Sequence, residues 1–244
     1  MSPSLSQSIS PSIFYWGTPV VLVTTENEDG STNIAPMSSA WWLGNRCMLG
    51  LGSISQTTLN LLRTKQCVLN LASDTMAGSI NALAKTTGSK EVTTANEESP
   101  PLLYFKRMND YEYVADKFKR ARLTRVPSAL VRPYRIAECP AQMEAELVGV
   151  HQMMQDTDAK AIIALEVKIL RTYVHDDIRM AGKPNRIDPD KWRPLIMNFQ
   201  ELYGLAPKKI SRSTLAEIEE ENYRPLSNPL EDAISTEEGA EAAL

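Results

Sequence analysis

The chain is poor in the residues that build metal sites and disulfide scaffolds. Among 244 residues there are three cysteines, Cys47, Cys67 and Cys139, and two histidines, His151 and His175. An odd cysteine count without CxxC spacing argues against a disulfide framework or a zinc ribbon, and fits a reducing, cytoplasmic setting. Neither histidine has a ligand partner at i+3 or i+4, and no HExxH, GxSxG or Walker loop is present, so no metal site is expected. Each histidine reads as a hydrogen-bonded structural or surface residue. Long apolar runs are missing too. No window approaches the roughly 18 residues that a membrane helix needs, so no membrane partner is expected. The opening MSPSLSQSIS has neither Lys, Arg nor an apolar run, so it does not read as a secretory signal.

What is present is ordinary globular material, 43% hydrophobic and 23% charged, which argues against disorder throughout. The net charge of −4 is unevenly spread. Ser211–Leu244 holds nine acids against two arginines, which makes that tail −7 and the rest +3. A mildly basic body suits a small anionic ligand and is too weak a bias to argue for nucleic acid. The expected organisation is a flexible Ser/Pro-rich stretch over 1–12, one domain over 13–210, and an acidic, flexible tail over 211–244.

Within the body, Pro19–Thr25 is a β-branched run of strand length. Asp29-Gly30 then predicts a hairpin into a strand over Thr32–Ser38, because Gly tolerates positive φ. Arg46–Leu51 and Cys67–Leu71 read as further strands. Between them, hydroxyl residues precede the apolar-periodic Leu59–Arg63, which predicts a capped helix. Asp74 is placed as the cap of a second helix with Met76, Ile80 and Leu83 on one face. Residues 85–108 read as a long irregular loop, a kind of segment that is often functional or mobile. Tyr111–Phe118 reads as helical, and 117–135 as a basic run broken by Pro127 and Pro133. Ala141–Met153 and Ala161–Tyr173 alternate apolar with charged or amide residues. The pattern predicts two long strands with one wet face, carrying Gln142, Glu144 and Glu146 on the first. Hairpin-linked strands suggest antiparallel pairing, and closure into a barrel would remove exposed edges.

Two segments carry the candidate chemistry. In the first, Gly52 ends a strand and Ser53, Ser55, Thr57 and Thr58 lead into a helix. A helix N-terminus with free N–H groups and extra hydroxyls favours a phosphate; ordinary capping by one hydroxyl is the alternative. Gly50-Leu51-Gly52-Ser53 lacks the third glycine and the βαβ context of a dinucleotide loop. In the second, Asn33, Ser38 and Ser39 interrupt a strand. They suit the edge of a planar heteroaromatic ring, or else mark a simple edge strand broken by Pro36.

The strings TPVVLVTTENEDGSTNIAPMSSAW and GLGSISQTTLNLLRTKQCVLNLA, in that order over about 17–73, resemble the flavin reductase-like family with the FMN-binding split-barrel fold. The resemblance implies a mostly β (α+β) chain, an antiparallel split β-barrel with a few peripheral helices. It implies FMN, or FAD, as cofactor and NAD(P)H as reductant, with hydride transfer through flavin N5. By the same resemblance, Asn33, Ala35, Pro36, Ser38 and Ser39 lie along the isoalloxazine, and Ser53, Ser55, Thr57 and Thr58 hold the ribityl chain and phosphate. It further implies a homodimer, a small-molecule substrate, and a flavin-dependent monooxygenase as possible acceptor. No catalytic side chain is assigned. Many members carry Gly-Asp-His before the late strand; here Gly149 and His151 stand in a different order, so nicotinamide binding is not assigned to His151. Alternatives are a flavin enzyme acting on its own organic substrate, with Trp41-Trp42 lining the pocket, and a non-catalytic flavin or electron carrier. Arg132 and Arg135 read as a solvated basic surface, or else as partners for a phosphate on the flavin or nicotinamide, and nucleic-acid binding by 117–135 ranks below the flavin readings.

Overall fold

The structure, a computed structural model, describes residues 6–157, 161–213, 218–220 and 222. Parts of the expected flexible segments, 1–12 and 211–244, and Asp158 of the expected turn therefore lie outside the described residues. The elements in chain order are β1 (Trp16–Pro19), β2 (Val21–Glu26), β3 (Thr32–Met37), β4 (Ala40–Leu43), β5 (Arg46–Gly52) and α1 (Gln56–Thr64). They continue with β6 (Gln66–Leu71), α2 (Ala77–Ala82), β7 (Thr86–Thr87), α3 (Pro101–Met108), β8 (Glu112–Tyr113) and α4 (Lys117–Ala121). The rest are β9 (Arg125–Val126), β10 (Arg135–Ile136), β11 (Ala141–Gln152), β12 (Ile162–Val174), β13 (Ile196–Asn198) and β14 (Glu201–Tyr203).

Seven strands form one antiparallel sheet in the order β3-β2-β6-β11-β12-β5-β4. Its two edge strands, β3 and β4, are consecutive in the chain and joined only by Ser38-Ser39. Two residues span roughly 7 Å, so the sheet must curl until its edges meet at that corner. The corner is fixed by Gly50 N–H donating to Ser39 O at 2.8 Å and Ser39 Oγ donating to Gly50 O at 2.6 Å. A side chain at Gly50 would meet Ser39 Cβ at 3.2 Å, so the close approach needs glycine. The barrel is therefore split rather than closed: no ladder joins β3 to β4 among the described residues. The hairpin expected at Asp29-Gly30 is there, with Gly30 at φ +80° and Asp29 Oδ1 accepting from Ser31 N–H at 3.0 Å.

The curled sheet has a core on each face. Inside pack Val21, Val23, Leu49, Leu51, Leu61, Leu69, Leu165 and Val167. Outside, Val20, Leu22 and Ile34 pack with Met76, Ile80, Leu83, Phe118 and Ile136. Strand β2 is buried on both faces, which is why its sequence reads as a continuous apolar run. Each fully buried side chain of this size contributes about 1.5–3 kcal/mol. Strand β12 keeps the expected alternation, with Ile163, Leu165, Val167 and Ile169 inward.

Several expectations are corrected here. The presumed wet face of β11 is covered over its first half, where Glu144 is 0% and Gln142 4% exposed, while Glu146 stays partly exposed beside Lys168. The cover is the segment before β11, whose Ala129 and Leu130 N–H groups donate to the Glu144 carboxylate at 2.9 and 2.7 Å. The irregular stretch 85–108 contains α3, started by Pro101 at its first position, where a missing N–H costs nothing. Tyr111–Phe118 is instead a short strand and the start of α4. Asp74 caps nothing; it is paired with Arg193 at 3.2 Å. Of the 117–135 basic run, Lys117 is buried. Arg135 lies over the Tyr173 ring at 3.7 Å and donates to Gln142 at 2.9 Å, while Arg132 stays at the surface. The three cysteines are free and buried, and burial pushes the Cys47 thiol up to about 12.

Candidate functional site

A cavity of about 600 Å³ opens where the edge strand β3, the start of α1 and the 83–117 segment converge. That size suits a cofactor or drug-sized ligand. Its floor is the free edge of β3, at Asn33, Ala35, Pro36 and Met37. Lys117 Nζ donates to Ile34 O at 2.8 Å, so that carbonyl faces away from β2. Pro36, two residues on, shares the outward side, where its missing N–H breaks no ladder bond.

The start of α1 makes one wall. Ser55 is the N-cap; its Oγ accepts from Thr58 N–H at 3.2 Å, and Thr58 Oγ1 donates to Gly52 O at 2.8 Å. Leu59 N–H is met by Ser55 O. The N–H groups of Gln56 and Thr57 keep no protein acceptor among the described residues, and both residues line the cavity. Thr57 Oγ1 accepts from Asn33 Nδ2 at 3.2 Å, which ties this wall to the floor. Asn33 is 3% exposed, and its Oδ1 is a buried acceptor without a partner.

The opposite wall comes from residues 85–135, an insertion that lies outside the 17–73 stretch of family resemblance. Thr86, Thr87 and Gly88 run across Asn33 and Gln56. A Cβ at Gly88 would sit 2.6 Å from Asn33 Oδ1 and 2.9 Å from Gln56 Cγ, so only glycine lets this strand pass. Leu102 of α3 reaches over Gly52, where a Cβ would meet its side chain at 2.8 Å. Three lysines, Lys85, Lys106 and Lys117, line the cavity and no Asp or Glu does. Burial, with Lys106 adding repulsion, lowers Lys117 to about 7; burial lowers Lys106 as well. Tyr15, Met197 and Phe199 close the remaining side. Phe199 sits at φ +55°, a strained conformation for a bulky residue.

Of the nine expected binding residues, the structure brings Asn33, Ala35, Pro36, Ser55 and Thr57 to the cavity. Ser38, Ser39, Ser53 and Thr58 are not in its lining. Ser39 and Thr58 are spent on backbone carbonyls, Ser38 is buried at the sheet corner, and Ser53 donates its N–H to Ala161 O. Trp41 and Trp42 are also absent from the lining; Trp41 is exposed on β4 and Trp42 packs on the inner core. His151 is an exposed neighbour of Glu166 at 3.7 Å, and His175 bonds Ala137 O at 2.9 Å. Sequence reading missed Gln56, the 85–88 turn, Lys106 and Lys117. The signals for the last three were the length of the 85–108 loop and the basic run that begins at Lys117. Among the described residues no group of His, Cys, Asp or Glu is placed to hold a metal, and no helix is long and apolar enough to cross a membrane.

A family model described as "Flavin reductase like domain" matches residues 15–181, a span that includes the β3 floor, the α1 turn and the insertion. The chain is similar to the uncharacterized protein YdfE of Bacillus subtilis (strain 168), 37% identical over 199 residues, which is 82% of this chain and 89% of that protein. Among solved structures it is similar to nitrilotriacetate monooxygenase component B from Bacillus cereus, with a TM-score of 0.64 and 18% identity over 86% of this chain and 100% of that one. It is equally similar to flavoredoxin of Desulfovibrio vulgaris (Miyazaki F), with a TM-score of 0.64 and 18% identity over 87% and 99% of the two chains. At such identities these structures speak to the fold, which is the same split barrel.

Proposed function

Because the chain belongs to the flavin reductase-like domain family, we propose that it is an FMN-binding oxidoreductase that draws reducing equivalents from NAD(P)H. The observation that carries this reading is a helix start with two unclaimed N–H groups that opens into an acid-free cavity. Oriented N–H groups and a helix dipole together favour a phosphate. The likeness to a flavoredoxin supports a flavin as the ligand.

The residues present fit the group. Gln56 and Thr57 would receive the phosphate on their N–H groups. Ser55 and Thr58 support that turn from behind by fixing its backbone. Asn33 steadies that turn by donating its Nδ2–H to Thr57 Oγ1. Ala35 and Pro36 leave the β3 edge flat enough for such a ring. Bound FMN supplies reversible two-electron hydride chemistry at its ring N5. The chain's part is to hold, orient and keep water out, for which Tyr15, Met197 and Phe199 close one side. No side-chain acid or nucleophile is required. The likeness to a monooxygenase component supports delivery of reduced flavin to a separate monooxygenase. A homodimer is the proposed assembly, with exposed Trp41 and Leu43 on β4 and Val148 and Val150 on β11 as apolar surface for it.

The test is the absorbance of the purified full chain, followed by NADH and NADPH oxidation with added FMN. Thr57→Asp should weaken FMN by about tenfold or more, since it sets like charge against the phosphate, and should leave riboflavin unaffected. Thr57 is 3% exposed, so a thermal melt of the variant is needed to separate loss of phosphate binding from loss of fold; the favourable placement of an acid in the first helical turn predicts a folded protein. A colourless protein that does not take up added FMN refutes the reading.

A further inference from the structure

Lys117 is 3% exposed and is held by α4 against the edge of β3. Its ammonium makes one hydrogen bond, to Ile34 O at 2.8 Å, and no ion pair among the described residues. Lys106, from α3, lines the same cavity and is likewise without an ion pair among them. The acid next to Lys117 in sequence, Asp116, is already taken by Arg125 at 2.6 Å and Lys119 N–H at 3.0 Å. On the same helix Arg120 is turned to Glu112 at 3.4 Å. Among the described residues no carboxylate lines the cavity with the two amines.

Burying an ammonium with unused N–H donors is unfavourable, so the free protein favours the neutral amine and an arriving anion favours the charged one. A second lysine in the same cavity adds to the cost of charge, and among the described residues no carboxylate there offsets it. Apolar side chains share the lining, among them Pro36, Leu83, Leu102 and Phe199, and so does the Tyr111 ring. We propose that Lys106 and Lys117 form an oxyanion subsite that binds the carboxylate of a planar, apolar organic acid, apart from the phosphate position at the start of α1. This rests on the flavin reading of the same cavity in one respect, that the cofactor's own phosphate lies at α1. Both lysines belong to the insertion, so the acid would be selected by that segment and not by the barrel.

The same chemistry would suit the FMN phosphate, and the experiment separates the two sources. The full chain carrying FMN is titrated with benzoate and with uncharged benzamide, by calorimetry and by flavin difference absorbance. Benzoate should bind at least about tenfold tighter than benzamide, and Lys106→Met and Lys117→Met should each remove that advantage with flavin content unchanged. Lys106 is only partly buried, so its variant keeps the test valid should Lys117→Met misfold. Equal affinity for benzoate and benzamide overturns the subsite. So does a Lys106→Met protein with unaltered benzoate preference. Loss of FMN binding with riboflavin binding retained in the two variants overturns it as well, because the lysines would then hold the cofactor's phosphate. A wild-type protein that takes up no flavin refutes the flavin reading alone; calorimetry of that protein with benzoate and benzamide still upholds or overturns the lysine subsite.

Discussion

The curled sheet and the 85–135 insertion are held together in different ways. The sheet rests on continuous ladders and on apolar clusters against both faces. The insertion has only short elements; Phe118, Ala121 and Leu123 join it to the outer apolar cluster, and a few buried polar side chains tie the rest of it to the sheet. Asn70, 0% exposed, accepts from Ile136 N–H at 2.9 Å and donates to Leu22 O at 2.9 Å. Glu144 accepts from two backbone N–H groups and lies 3.8 Å from Arg135. Lys117 reaches back to Ile34 across 83 positions of sequence. A scaffold built on periodic burial can thus carry a segment tied down at discrete points, and the ligand cavity forms where the two meet.

The comparison breaks most severely at Glu144. Glu144→Ala leaves the Ala129 and Leu130 N–H groups and the largely buried Arg135 without their carboxylate, and should cost about 3–5 kcal/mol. Hydrogen exchange should show the protection lost first at 125–136, with the β11–β12 ladder retained. Uniform loss across both regions would mean that insertion and sheet are one cooperative unit.

A smaller effect sharpens the role of Lys117. Its amine sits at about 7 in the fold, against an ordinary 10.5 for lysine. Between those values the unfolded chain binds a proton that the folded chain does not, so stability should rise with pH across the window. One such group contributes a slope of at most about 1.4 kcal/mol per pH unit. Lys117→Met should flatten denaturant midpoints between pH 7 and 10 relative to wild type, and an unchanged slope would place the proton elsewhere.

The smallest effect lies within the sheet-side wall. Ser55→Ala removes the cap of α1 and should cost about 1 kcal/mol. It should also lower FMN affinity, because the Gln56 and Thr57 N–H groups lose their fixed turn. Thermal melts with and without FMN check both effects.

Much of the barrel is legible in the sequence because its signals are local. The Asp29-Gly30 hairpin, the alternation along β12 and the hydroxyl cap of α1 each follow from residues within a few positions of one another. Half of the candidate site is legible for the same reason: Asn33, Ala35 and Pro36 on the strand, Ser55 and Thr57 at the helix start. The remainder misleads for an equally physical reason. Glu144 reads as solvated, since period two cannot say that a distant segment will cover that face. Thr58 and Ser39 read as ligand hydroxyls, yet the tight backbone at Gly52 and Gly50 claims them first.

By itself, then, the sequence determined the strands, their hairpins and the capped helix, because hydrophobic period, turn chemistry and capping act over one to seven residues. Only the tertiary structure decided which polar groups are buried, which hydroxyls are spent on the backbone, and that two lysines from the insertion share an acid-free cavity with the β3 edge. Those outcomes depend on contacts between residues tens of positions apart, where desolvation and hydrogen-bond satisfaction are settled by packing.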